Sequence, residues 1–362
     1  MTNDLLASLD ALASAATNDV DRWSYRAQHA CALARLGKIE AARAEIRSLR
    51  EYNTAYSPRL TGWIFLAEGM CDHFESLSTD AIDRFKRAHG LAPATNDPEI
   101  KSFAAAWIGA SEFLMGRHEA AALHAAEVIE GAPANGALAL SRAHLVLANC
   151  LYGFGAEAVA AKHYAKARHF AVEARDISMQ SAILYNMAAF RLWRLTLEDA
   201  FGEQLSAKDV RLAELEVNSI SNLDQGLEIA SLEAMVPLLR AQVRLISREW
   251  ADADTIYAES IDGGARRLAP RYMAERAYCN AMLDRRDSAL DLASEAQGML
   301  GEGVELDDRA ACHARLSMIF EVLGLTGEAA VQAKSARETR AAFRAYQESL
   351  RPRLASIAAS VG

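Results

Sequence analysis

Apolar residues recur at helical spacing along nearly the whole chain, and polar or glycine breaks cut the pattern into short paired stretches. The clearest pair lies at 62–93. Trp63, Leu66, Met70 and Phe74 mark one helix, a polar break follows at 76–79, and Ala81, Phe85 and Ala88 mark a second helix that Pro93 is expected to stop. Residues 4–16 predict a short amphipathic cap helix. A first full pair follows, with a helix over about 21–36, a turn at Gly37 and a second helix carrying Ala42, Ile46 and Leu49. Ser57-Pro58 and Asp97-Pro98 each read as an N-cap followed by the first helical residue, where proline's missing N–H costs nothing. The third pair spans 98–133, with Gly109 and Gly116 in it and Ala121, Ala125 and Val128 in its second helix. The fourth spans about 137–174, with Gly155 at the turn and Ala160, Tyr164 and Ala167 behind it.

The fifth pair, about 175–230, departs from this pattern. Ala188 fills the small-residue slot of its first helix and Ala200 is expected to open its second. Phe201-Gly202 then interrupts, and a long helix from Ser206 carries Leu212, Leu215, Ile220 and Leu223. Regularity returns in the sixth pair (Pro237, Ala241, then Ala253, Tyr257 and Ser260, ended by Gly263-Gly264). The seventh has Pro270, Ala277, Ala289, Ala293 and Ala296. The eighth spans about 307–337, with Gly324, Ala329, Ala333 and Ala336, and its second helix continues through Tyr346 toward Leu350, with Pro352 introducing a last short helix.

The alanines assigned to the start of each second helix are 42, 81, 121, 160, 200, 253, 289 and 329, so successive separations are 39, 40, 39, 40, 53, 36 and 40 residues. A period this steady marks an internal repeat of helix pairs. The spacing Ala81-x3-Phe85-x2-Ala88-x4-Pro93, with Gly69 twelve residues upstream, resembles the tetratricopeptide (TPR) unit. The period exceeds the roughly 34 residues of the standard unit and touches the HEAT and armadillo range. The small-x3-large-x2-small pattern of the second helices nevertheless favours the TPR family. The resemblance covers about residues 21–337. It implies an all-α, right-handed α-solenoid of about eight units, with an N-terminal cap helix over 1–20 and a C-terminal capping helix over 338–362. Units of this length resemble the arrays of bacterial regulators, such as MalT-type transcription activators and the N-terminal arrays of some diguanylate cyclases. The chain holds no cyclase signature loop, so that activity does not carry over.

Composition changes the picture only at the edges. Hydrophobic residues make up 51% of the chain, enough for a core, and alanine-rich helices approach closely. A net charge of -9 argues against a general nucleic-acid or anionic-membrane surface, which needs a cationic excess. The acidic start and the lack of a spanning apolar run predict a cytoplasmic protein. Five scattered cysteines (Cys31, Cys71, Cys150, Cys279, Cys312) with no C-x-x-C pair read as packing residues.

Catalytic chemistry is not expected. His118 and His124, like His163 and His169, stand six apart and so face different ways on a helix, and no metalloprotease, Walker, dinucleotide or nucleophile-elbow motif occurs. The nine histidines read as packing or solvated groups, although His73 and His144 lie on first helices within reach of a ligand. The loop at 301–308 lacks the residues of a phosphate or calcium site and reads as a connection that caps the next helix with Asp307 or Asp308. No metal or cofactor is expected.

In a stack of such units the first helices line the concave face. The expected inward positions include Trp63, Met70, Phe113, Arg142, Asn149, Tyr152, Tyr185, Asn186 and Trp193. The resemblance implies that Asn149 and Asn186 hold the backbone of an extended peptide, since a carboxamide matches one peptide group as donor and acceptor. Leu145, Met235 and Leu239 stand where the TPR subclass that clamps a terminal carboxylate has basic residues, so recognition of a free acidic C-terminus is not expected. Arg142, Arg191 and Arg194 supply local positive charge. The expected function is a non-catalytic scaffold binding a protein or peptide along its groove, regulated through the extended fifth unit. The alternative is a sensor or regulatory subunit that binds a signal peptide or small ligand, or forms a homodimer through its C-terminal helix. Neither nucleic acid nor membrane is an expected partner.

Overall fold

In the computed structural model the chain is described over residues 4–53, 56–76, 81–263, 266–301 and 303–361, and these residues contain helices and no strand. It divides into two compact units, one comprising 1–183, 224–231 and 350–362, the other 184–223 and 232–349. Among the described residues no helix is long and apolar enough to cross a membrane.

The first unit begins with α1 (Asp4–Ala15). The pairs α2 (Asp19–Arg35) and α3 (Ile39–Tyr52), α4 (Pro58–Ser76) and α5 (Ala81–Thr95), α6 (Pro98–Leu114) and α7 (His118–Gly131), and α8 (Ala137–Gly153) and α9 (Glu157–Glu173) follow. Local chemistry sets the helix starts. Asn18 accepts the Asp21 N–H at 2.8 Å, and Asp97 accepts the Glu99 N–H at 3.0 Å with Pro98 in the first turn. Where the turn inside a pair is described, it is a repeated C-cap. At Gly116, for example, the Arg117 N–H donates to the Glu112 carbonyl and the Gly116 N–H to that of Phe113, with Gly116 at φ 71°. The same two bonds form at Arg248 and Asp284, which hold φ of 67° and 59° without being glycine.

Each second helix packs against its own first helix and, in most pairs, against the next first helix. Small residues permit that double contact. Ala42, Ala121 and Ala160 are each the fourth residue of α3, α7 and α9, and all are fully buried. Opposite them, Gly69 faces the Phe85 ring so closely that an added Cβ would sit 2.6 Å from Cε1. Gly69→Ala should therefore lose stability. The gain of about 1 kcal/mol in helix propensity is outweighed by overpacking of about 1–3 kcal/mol against a buried ring. Chemical denaturation checks this, and a stabilised variant would show that the ring moves aside freely.

The second unit takes most of α10 (Ile177–Ala200) and α11 (Ala207–Leu227), then α12 (Val236–Ile246) with α13 (Trp250–Ser260). After these come α14 (Ala269–Met282) with α15 (Arg286–Gly298), and α16 (Leu306–Val322) with the 35-residue α17 (Thr326–Ser360). Its core joins Ala188, Leu192 and Leu195 of α10 to Ala213, Val217 and Ile220 of α11 and to Val236, Leu239 and Val243 of α12. Ala253, Ala289 and Ala329 repeat the fourth-residue rule in α13, α15 and α17.

Three sequence expectations are corrected here. Ala200 ends α10 rather than opening a second helix, because nothing between Ala188 and Ala200 breaks the helix, and the turn comes only at Gly202 (φ 73°). Pro93 does not stop α5, which runs on to Thr95 and ends before Asn96 at φ 52°. Pro352 lies inside α17, so no separate terminal helix forms. On α17, Phe343, Leu350, Leu354 and Ala358 are buried within the chain. The break expected at 76–79 and the pair Gly263-Gly264 fall in part outside the described residues. All five cysteines are free and buried.

Candidate functional site

A first helix touches its own partner, the preceding second helix and both neighbouring first helices, so it is apolar almost all round. On α6 every residue from Ser102 to Glu112 is buried, and α8 is similar from Ala143 to Leu151. Little of either helix is left to face a ligand.

This crowding sorts the predicted site residues. Met70 is 0% exposed and Trp63 3%, the latter with its indole N–H on Asp97 at 3.2 Å and its ring 6.0 Å from that of Phe103. Asn149 is 5% exposed, and its Oδ1 accepts the Tyr164 hydroxyl of α9 at 2.8 Å. These three serve the packing of the first unit, and no surface of theirs is open to a peptide. Phe113, Arg142, Tyr152, Tyr185, Asn186 and Trp193 are partly exposed. The first three lie in the first unit and the last three in the second. The polar edge expected from Asn149 is thus replaced in the first unit by Arg142.

Around Arg142 the first unit places polar groups against aromatic rings. The guanidinium lies 4.1 Å over the Trp107 ring, and the His73 ring meets Trp107 edge-on at 5.2 Å. Arg35 at the end of α2 donates to Asp176 at 2.6 Å, a buried ion pair, and its guanidinium stands 5.6 Å from Phe103. Burial, with Arg142 nearby, pushes His73 down to about 3, so it is neutral. Burial and the Arg35 charge lower Arg142 to about 10, against the attraction of Asp176, and leave it cationic. His144 and His163 face each other through Nδ1 atoms 3.0 Å apart, and burial lowers them to about 3 and 4.

In the second unit a buried ionic network carries the partly exposed residues. Arg271 donates to Asp308 at 2.9 Å, to Glu275 at 3.3 Å, to the Trp193 carbonyl at 3.2 Å and to the Thr196 hydroxyl. Glu275 also accepts from Tyr257 at 2.6 Å and Gln242 at 3.2 Å. The Trp193 indole donates to Asp307 at 2.6 Å, and its ring meets Phe343 at 6.0 Å. A second group joins Arg315 and Arg248 to Asp199, each at 2.5 Å. Arg191 and Arg194 are neutralised by Glu216 and Glu198.

Asp307 and Asp308 thus stand in the first turn of α16 and hold Trp193 and Arg271, where the sequence suggested a simple cap. The network was missed in the sequence, although the charged pair Arg271 and Glu275, one helical turn apart in an otherwise apolar stretch, is a signal that could have exposed it. Among the described residues no group of three or more His, Cys, Asp or Glu side chains is arranged to hold a metal ion. Comparison with protein-family models and with curated proteins finds no match.

Proposed function

We propose that the protein is a non-catalytic scaffold of the TPR type that binds a peptide segment or partner protein through the partly exposed strip of its first helices. The observation that carries this reading is the repeated helix pair with its buried fourth-residue alanine, an arrangement in which the first helices line the concave face of a stack, where a few of their residues here stay partly exposed. Tyr185, Asn186 and Trp193 follow one another along α10 and offer aromatic anchors beside a carboxamide, a pairing suited to an extended peptide. Arg142, Tyr152 and Phe113 offer a comparable set in the first unit.

Panning a random peptide library on the full chain tests the reading. A family of related peptides should be enriched, and Asn186→Ala should weaken their binding about 5- to 30-fold, as for loss of one or two hydrogen bonds. Enrichment of no common pattern, or equal binding by the variant, would count against the scaffold and its site respectively.

A further inference from the structure

Around the Trp107 ring the first unit gathers cationic and hydrogen-bond-donating groups. Among the described residues, Nε of Arg142, Nε of Arg35, Nε1 of Trp107 and Nδ1 of His73 are buried without a hydrogen-bond partner. They share one neighbourhood, since Arg142 and His73 both lie on the Trp107 ring and the Arg35 and Arg142 charges act on each other. One carboxylate, Asp176, faces two guanidinium groups, and it is fully engaged. Its Oδ2 accepts from Arg35, and its Oδ1 accepts from the Ser178 hydroxyl at 2.6 Å and the Met179 N–H at 3.1 Å. Among the described residues no carboxylate pairs with Arg142, so one positive charge is left over. Buried donors without acceptors are costly, and a half-buried cation without a counter-charge is a ready partner for an anion.

We propose that Arg142 is the receptor for a carboxylate, which accepts hydrogen bonds from the guanidinium and completes the charge balance of the first unit. Two guanidinium groups beside one carboxylate leave a local excess of one, which suits a monoanion better than a dianionic phosphate. A guanidinium 4.1 Å over an indole ring keeps N–H groups for bidentate pairing with a planar carboxylate. His73, being neutral, adds no second charge. The carboxylate belongs either to an acidic side chain of the bound segment, which deepens and rests on the scaffold reading, or to a small free acid.

The test follows the Trp107 indole N–H resonance of the full chain, assigned with Trp107→Phe, during titration with sodium acetate against sodium chloride at matched ionic strength. Acetate should move the resonance with a dissociation constant on the order of 10 mM, and Arg142→Met should weaken the response tenfold or more. Thermal unfolding of Arg142→Met in chloride shows that the variant folds. A wild-type resonance that acetate and chloride move alike overturns the receptor, as does an acetate response that survives in Arg142→Met. In a second arm, library-selected peptides are compared with versions carrying Gln for Glu and Asn for Asp. Weaker binding of the neutral versions to wild type, but not to Arg142→Met, assigns the carboxylate to the partner segment. Acetate binding through Arg142 without any such difference assigns it to a small acid and leaves the receptor standing while removing the scaffold's part in it.

Discussion

Arg271→Met should cost the second unit about 3–5 kcal/mol, the largest loss expected from a single substitution in this protein. Arg271 links three elements at once: α10 through Trp193 and Thr196, its own helix α14 through Glu275, and α16 through Asp308. Methionine fills much of the volume but removes the only guanidinium that Asp308 meets in these bonds, and it leaves Glu275 with Tyr257 and Gln242 alone. A buried carboxylate stripped of its cation is the expensive outcome, more so than the lost attraction itself. Adding Glu275→Leu and Asp308→Leu should recover part of the loss, because exchange of a whole ionic group for apolar residues is often close to neutral. Denaturant midpoints, with hydrogen exchange over 184–349, report both effects. A loss below about 1 kcal/mol for Arg271→Met would mean that the network is dispensable. The same variant should also misplace Trp193, whose carbonyl and indole are both held in this network, and so weaken any ligand that uses its ring.

Acidification from about pH 7 to about pH 5 should loosen the first unit and tighten the second. His73, His144 and His163 are buried neutral, with values pushed from 6.5 down to about 3, 3 and 4. Below pH 6.5 the unfolded chain takes up protons that the folded one refuses, so stability falls as pH falls, until the folded groups titrate. Each histidine then costs about 2 kcal/mol over this interval. Carboxylates whose values are raised act in the opposite sense, since the folded state holds their protons longer and gains stability as pH falls toward 4.5. In the first unit Glu99, raised to about 7 by burial and by Asp97, and Asp224, raised by burial, offset part of the histidine effect. In the second unit Glu305, raised to about 7 by burial, and Asp307, raised to about 6 by burial and Asp308, act in this sense. Hydrogen exchange corrected for the intrinsic rate should show protection falling in α4–α9 and rising in α14 and α16. Equal changes in both would contradict this division. Replacing His144 and His163 by phenylalanine and leucine should flatten the acid response of the first unit.

What could be read from the sequence is what local spacing controls. The separations of Ala42, Ala81, Ala121, Ala160, Ala253, Ala289 and Ala329 determined the helix pairs, because a residue squeezed between two helices must be small whatever surrounds the pair. The N-cap at Asp97 and the turns at Gly37, Gly155 and Gly324 were equally legible, since each satisfies backbone groups within a few residues. Even so, Ala200 misled, because an alanine in phase with a repeat looks the same whether a helix begins or ends there.

The candidate site lay beyond that reach. Trp63, Met70 and Asn149 occupy the right helices, yet burial by neighbouring helices withdrew them from any groove, and only packing among elements far apart in the chain decides which face remains open. Arg35 meets Asp176 across 141 residues and Trp193 meets Asp307 across 114, contacts for which periodicity carries no information. The sequence by itself determined a repeated all-α chain and the helices that could bear function. The tertiary structure decided which charges are paired. It left Arg142 unpaired over Trp107, because charge compensation depends on distance in space and not on distance along the chain.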